Sequence, residues 1–428
     1  MTRNYYLLLS GYFISTAGDW LYQIALPLLV YQITGSPLSM AVTYGLTYLP
    51  VVLFLPFGGI IADRIDRRRL LVWGDLAAAA LVGLLALAAW QSVHTIWLVY
   101  PTVFVLASIT SFYHPAFQSF VPSLVDDPQL ARANSWLSGA ENVVVFLGPL
   151  VAGLAIAALG TTLALFLDAV SFGASGLLIL RISAASRAAH AEVQAADAGP
   201  LWLDDIREAA AFVWRDPLMR YGSLLFLGVN FAIGLFTANY VYFLSEVLGL
   251  APFQIGLAFA IPGLGAILGA LSAPLVERRL EPGRLLLLGT VVSGLAMLPM
   301  LVAHEVFAVA VPWAIVSGLG SLTAVTWFTV RQRVVPPRLL GRAVALTRLV
   351  AFAALPLAAV VGGLLLDATR SMSPIIGVAA AISVAIGGLG FLTPLHRPAA
   401  NRMAPPDVRP TSAGQPGVLP PLSEGTQC

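Results

Sequence analysis

Twelve stretches of this chain are apolar over about twenty residues each, and a helix of about 20 residues is what the hydrocarbon core of a bilayer accommodates. The windows fall at 5–33, 39–62, 70–90, 96–118, 135–159 and 161–180. Past a polar interruption they resume at 220–244, 252–276, 285–303, 306–330, 343–366 and 372–393. Backbone N–H and C=O groups find no water inside a bilayer, so runs of this length are read as helices. The first run is too long for the apolar core of a signal peptide and has no small-residue cleavage site, which makes it a retained span. Composition agrees: 58% of the 428 residues are hydrophobic and 10% charged, where a soluble domain carries about 25% charged residues.

Several chemistries are excluded by missing residue types. All 23 basic residues are Arg, so the chain has no P-loop lysine and no lysine for a Schiff base. Its one cysteine is Cys428, and the five histidines (94, 114, 190, 304 and 396) are scattered, which leaves no metal or redox motif. No cofactor, nucleotide or nucleic acid is expected. An enzyme in the membrane would need clustered acids or histidines at one edge, and these are absent from the sequence, so no catalytic or metal residue is assigned.

Arginine placement orients the spans. With both termini in the cytoplasm, 21 of the 23 arginines fall on the inner side; Arg370 alone lies in an outer loop and Arg348 lies within the eleventh span. This is the positive-inside pattern, with both termini on the cytoplasmic side. Residues 201–217 place Leu201, Trp202, Ile206, Ala209, Phe212 and Val213 near helical spacing. They predict an amphipathic helix lying on the inner membrane surface. After Pro394 come seven more prolines by Pro421, the composition of a disordered tail.

The two halves repeat. Asp63 and Arg64 after the second span and Glu277 and Arg278 after the eighth are 214 positions apart, as are Gln118 and Gln332 and, again, Pro122 and Pro336. Pro149 and Pro356 correspond within the fifth and eleventh spans, each preceded eight residues earlier by a charged residue, Glu141 and Arg348. The expected fold class is therefore an all-α membrane protein of twelve transmembrane helices in two pseudo-symmetric six-helix bundles. The bundles are 1–181 and 218–394, joined by a cytoplasmic linker at 182–217 and followed by a tail at 395–428. Two such halves can rock about a central site, which is the architecture of alternating access.

The segment GGIIADRIDRRRL at 58–70 resembles the loop between the second and third helices of the major facilitator superfamily, with Gly59, Asp63, Arg64, Arg67 and Arg68 in register and Asp66 where that pattern has Gly. FLGPLVAG at 146–153 is similar to the helix 5 Gly-Pro signature of superfamily antiporters. The runs STAGDWLYQIALPLLVYQITGS, FYHPAFQSFVPSLV, LARANS and FLDAVSF resemble a subgroup of bacterial exporters that includes the enterobactin exporter and macrolide efflux proteins. The resemblance implies a gate at 59–68, where Asp63 meets the N-terminus of the eleventh helix near Gly341 when the inner side closes. A plain topogenic loop is the alternative. Glu277 and Arg278 would form the matching gate against the start of the fifth helix near Asn134. Gly148, Pro149 and Gly153 serve either close helix packing or bending.

Ionisable groups within apolar spans are costly and become functional candidates. Asp19 lies about fourteen residues into the first span, with Glu141 in the fifth, Asp168 in the sixth and Arg348 in the eleventh. Asp19, Glu141 and Arg348 are assigned to proton coupling or substrate contact; Asp168 is read as a structural hydrogen-bonding group. Glu141 and Arg348 are expected to find separate partners across the interface between the halves. The resemblance implies a cavity lined by the first, fourth, seventh and tenth helices, which nominates Gln23, Tyr113, His114, Gln118, Asn230, Asn239, Tyr240, Trp327 and Phe328. The functional expectation is a monomeric, proton-coupled exporter of an amphipathic small molecule: a drug, macrolide or siderophore. The alternatives are a metabolite or sugar importer of the same fold and, from another class, a lipid scramblase. Topology is directly testable: a reporter fused after Arg397 or near residue 190 should read as cytoplasmic and one near His94 or Glu305 as external, and a consistent reversal would invert every inner and outer assignment.

Overall fold

The computed structural model describes residues 2–64, 66–92, 96–182 and 203–396, of which 55–64, 127 and 203–206 are described as backbone only. The side chains of Gly59, Asp63 and Arg64, residues 183–202 of the linker and the tail from 397 lie outside the described residues. Twelve principal helices follow one another and no strand occurs among the described residues. They are α1 (Arg3–Thr34), α2 (Pro37–Arg64), α3 (Arg67–Trp90), α4 (Ile96–Phe120), α5 (Asp127–Leu180), α6 (Leu203–Arg215), α7 (Pro217–Thr237), α8 (Pro252–Glu277), α9 (Pro282–Met297), α10 (Val306–Val334), α11 (Leu340–Thr369) and α12 (Ser373–Gly390).

At 54 residues, α5 would be about 80 Å long if straight, far more than one bilayer. It turns at Gly160, whose φ of 81° and ψ of 170° suit a residue without Cβ. Two arms result, and they supply the fifth and sixth spans. With α1–α4 and α7–α12 they make twelve crossings, and α6 is the linker helix. Proline within the first turn begins α7, α8, α9 and α12, where its missing N–H has no helical role.

The packing of the first half is repeated in the second. In the first, α2 packs on α4, α3 on α4 and α5, and α1 on α5; in the second, α8 packs on α10, α9 on α10 and α12, and α7 on α11 and α12. Between halves, α2 packs on α11 and α5 on α8, two crossings related by the same pseudo-twofold. The linker helix α6 docks on the second half. Its Ala209 and Val213 are buried, Val213 within the core formed by α7, α9, α10 and α11, and its Glu208 pairs with Arg338 at 2.7 Å.

Taking the arginine-bearing end as the inner side, the cores differ at the two ends. On the outer side one continuous core joins both halves, including Leu29, Ile156, Phe236, Tyr240, Ile255 and Leu366. On the inner side the cores are separate. One holds Tyr5, Leu71, Phe117 and Ile179 of the first half; the other holds Met219, Leu286, Trp327 and Ala343 of the second. The described cross-half contacts follow suit: Trp20 with Phe259 and Tyr31 with Tyr242, Thr237 Oγ1 donating to Tyr44 Oη at 2.9 Å, and Tyr48 near Phe352. The arrangement is inward-facing, shut outside and divided inside.

A Cβ added at Gly45 of α2 would lie 3.2 Å from that of Ala359 on α11, a few tenths short of the ~3.5–4.5 Å spanned by a disulfide. Gly45→Cys with Ala359→Cys, in a Cys428→Ser background, should therefore crosslink the halves and stop transport until reductant is added. Failure to crosslink, or full transport by the crosslinked protein, would show that this crossing does not hold the outer side shut.

Candidate functional site

A stripe of small residues on α1 creates the first element of the site. Gly11, Ser15 and Gly18 are buried against the second arm of α5. A Cβ at Gly11 would lie 3.1 Å from Ser175 Oγ, and one at Gly18 would lie 2.7 Å from Asp168 Oδ1. Glycine therefore leaves room for polar groups inside the bundle. Asp168 is fully buried; Ser171 Oγ donates to its Oδ1 at 3.4 Å, and its Oδ2 has no partner. Asp75 of α3 is also buried and accepts from Ser175 Oγ at 2.7 Å and Tyr113 Oη at 3.3 Å. Asp19 is half-buried and within electrostatic range of both Asp75 and Asp168. No arginine or histidine stands among the groups that act on these three acids. Among the described residues no set of three acids, histidines or cysteines has metal-binding spacing.

The second element is a cavity of about 990 Å³ between the inner halves of α1 and α5. Its lining is mainly apolar, with Leu9, Phe13, Ile14, Trp136 and Val143, and polar at Ser10, Arg132 and Ser135. That volume lies at the upper end of the ~300–1,000 Å³ usual for small-molecule sites. Beside it, Tyr12 Oη donates to Glu141 Oε1 at 3.0 Å, and the Tyr12 ring stacks on Phe117. His114 of α4, exposed, lies within electrostatic range of Glu141 and of Arg348 from the other half.

The third element belongs to the second half. Arg348 of α11 lies 5.7 Å from the ring of Phe352 one turn on. Phe352 meets Tyr48 of the first half, so this face of α11 looks across the gap between halves. Arg331 of α10 is buried; its Nη1 donates to Thr347 Oγ1 at 2.9 Å. Its guanidinium lies 5.6 Å and 5.7 Å from the rings of Trp327 and Phe328.

Several sequence expectations need correction. Glu141 and Arg348 have separate partners, but Tyr12 and Phe352 lie within their own halves rather than across the interface. Asn239 and Tyr240 are buried in the outer closure, not in a cavity: Asn239 Nδ2 donates to the Leu235 carbonyl and Tyr240 Oη to the Ala258 carbonyl. The period that marks a helix face does not reveal depth along it. Tyr113 is committed to Asp75, Trp327 is buried on Phe226, and Asn230 donates to the Phe226 carbonyl of its own helix. Gln23, His114, Gln118 and Phe328 are exposed, though none lines the 990 Å³ cavity.

The gating candidates with described side chains make contacts within their own halves. Arg67 Nη1 donates to the Ser119 carbonyl at 3.1 Å, and Arg68 donates to the carbonyls of Ile179 and Leu180. These cations cap the C-terminal ends of α4 and α5, where free carbonyls favour positive charge. Asp66 is the N-cap of α3, accepting from the Arg69 N–H at 3.1 Å. Glu277 accepts from Thr326 Oγ1 at 2.8 Å within its own half rather than reaching α5, and Arg278 is the C-cap of α8. Gly148 lies under Trp20, Gly153 against α8, and α5 is not broken at Pro149; the break is at Gly160.

Asp75, Arg331 and the seam partners Ser171 and Ser175 were not nominated from sequence. Asp75 had a usable signal, since Gly74 and Asp75 repeat the Gly18 and Asp19 pair in a second apolar span. Arg331 had none, because it merges with the inner-side arginines.

The comparisons with known proteins match this geometry. The family model described as Major Facilitator Superfamily matches residues 8–359 and 229–419. The multidrug efflux pump Tap of Mycolicibacterium fortuitum is 27% identical over 378 residues, covering 85% of this chain and 89% of that protein. Macrolide efflux protein A of Streptococcus pyogenes is 26% identical over 151 residues, covering 35% of this chain and 37% of that protein. Among solved structures, the nucleoside transporter NupG superposes with a TM-score of 0.72 at 12% identity, covering 91% of this chain and 99% of that one, a likeness of fold. With a family match running through both six-helix halves, this chain belongs to the major facilitator superfamily.

Proposed function

We propose that this transporter is a proton-coupled exporter of an amphipathic small molecule, seated in a bacterial inner membrane with both termini in the cytoplasm. The observation that carries the coupling is the group of acids Asp19, Asp75 and Asp168, enclosed in the first half with no cation among the described residues acting on them. An uncompensated carboxylate within a membrane is expensive to keep ionised, and a proton is the neutraliser always at hand. Asp19 is the least buried of the three, so it is the one that exchanges with water. Asp75 and Asp168, held by Ser175, Tyr113 and Ser171, position and share that proton.

In the inward-facing state, cargo enters between α1 and α5 from the cytoplasm or the inner leaflet, against Phe13, Ile14 and Trp136. Asp19 releases its proton to the inside. Rocking of the halves opens the outer crossings, cargo leaves, and Asp19 takes a proton from outside. Export rather than import is supported by relatives named as a multidrug efflux pump and a macrolide efflux protein. An apolar, aromatic cavity suits such cargo.

The test uses purified protein in liposomes with a radiolabelled macrolide. Asp19→Asn should reduce ΔpH-driven accumulation at least about tenfold (a loss of about 1.4 kcal/mol or more in driving force), while exchange at equal pH stays near wild type. If the variant still concentrates the macrolide under an imposed ΔpH, Asp19 is not the coupling group. Loss of exchange as well would make it a cargo contact instead.

A further inference from the structure

We infer that Arg331 and Arg348 form a binding subsite for an anionic group on the cargo, built into the inner part of the second half. This rests on the exporter reading, because it takes the anion held by Arg331 and Arg348 to be part of the exported cargo. Two guanidinium groups lie within electrostatic range of each other, and they are linked through Thr347, which accepts from Arg331 and is the residue before Arg348. Neither has an acidic partner among the described residues; the ion pairs found join Arg69 to Asp66, Arg338 to Glu208 and Arg370 to Asp367. Glu141 of the first half acts on His114 as Arg348 does, and it is held by Tyr12 instead.

Burial sharpens the point. Arg331 is only 7% exposed, and its Nε has no acceptor. A buried guanidinium N–H without a partner is a rarity that calls for one, and a second cation nearby makes the protein alone a poor host for either. An anion satisfies both. A carboxylate or phosphate-type group matches the planar donor fork of arginine. Exposed Phe328 and half-buried Phe352 flank the two guanidiniums, so the body joined to that anion is apolar or aromatic. Within the amphipathic cargo proposed above, the subsite favours members that carry an anionic group on an apolar or aromatic body.

Radiolabelled 1-naphthoate and its uncharged counterpart 1-naphthamide serve as probes, with equilibrium dialysis of the full chain in neutral detergent at one pH and no gradient. The wild type should bind naphthoate at least about tenfold more tightly than naphthamide. Arg348→Gln, at an exposed position, should erase that preference while leaving naphthamide affinity unchanged, and Arg348→Lys should restore part of it. Arg331→Gln should do the same where it remains folded. Equal affinity of the wild type for the two probes, or an undiminished preference in Arg348→Gln, would overturn the proposal. Displacement of naphthoate by phosphatidylglycerol but not by phosphatidylcholine would overturn the assignment to cargo and make the subsite a lipid-headgroup site. Because no proton gradient enters the assay, Asp19→Asn should keep the preference; its failure in transport and a failure of this subsite are read separately.

Discussion

Two crossings of backbone on backbone, α2 over α11 and α5 over α8, hold the halves of this transporter together on the outer side. Lipid tails are as apolar as leucine, so helices in a bilayer associate through close packing rather than through a hydrophobic drive. Glycine makes that approach possible. A Cβ at Gly153 would lie 2.6 Å from the Pro252 carbonyl, and Gly256 sits against the Pro149 carbonyl. Proline contributes from the other side. Pro149 has no N–H, so the Val145 carbonyl four residues earlier has no helical donor. That carbonyl is what Gly263 of α8 approaches: a Cβ there would lie 2.8 Å from it. The Gly-Pro pattern of α5 thus reads, in this state, as an interface and not as a bend.

On the inner side the arginines stiffen each half. Arg67 and Arg68 bring the start of α3 to the ends of α4 and α5, and the Asp66 cap fixes the entry of α3. Glu277 ties α8 to α10, while α6 adds a clasp through Glu208 and Arg338. Each contact is internal to one half or joins it to its linker helix. None of these described contacts has to break for the halves to separate on the inner side.

Fold was legible in the sequence because its signals are long: twenty-residue apolar runs, arginines on one side and charged residues repeating at one offset. Asp19 was legible for a related reason, as a lone acid deep in a span. Asp75 carried only the weaker signal of a repeated Gly-Asp pair, and six residues from Arg69 it reads as part of the polar rim until packing puts it beside Ser175 and Tyr113. Asn239 and Tyr240 failed in the opposite sense. They sit on the expected helix, but on the outer side, where the halves meet and no cavity exists. Which face a residue occupies follows from its spacing; how the two halves tilt against each other follows from glycine crossings that are distributed over four helices.

The charges assigned to coupling and to the anion subsite are divided by sign between the halves. Asp19, Asp75, Asp168 and Glu141 belong to the first half, Arg331 and Arg348 to the second, and Glu141 and Arg348 occupy corresponding positions eight residues before Pro149 and Pro356. A ligand shifts an equilibrium only by its differential affinity for the two states. Closing the inner side brings these walls together and removes the water between them, which strengthens every interaction across the gap. On the proposed reading, a proton on the first wall removes one negative charge from that encounter, and an anion on the second offsets a positive one. Each therefore changes the free energy of the same closure, and the coupling between them is carried by the gap itself. On that reading proton and cargo need not touch, and no chain of side chains has to run from Asp19 to Arg348 for one to govern the passage of the other.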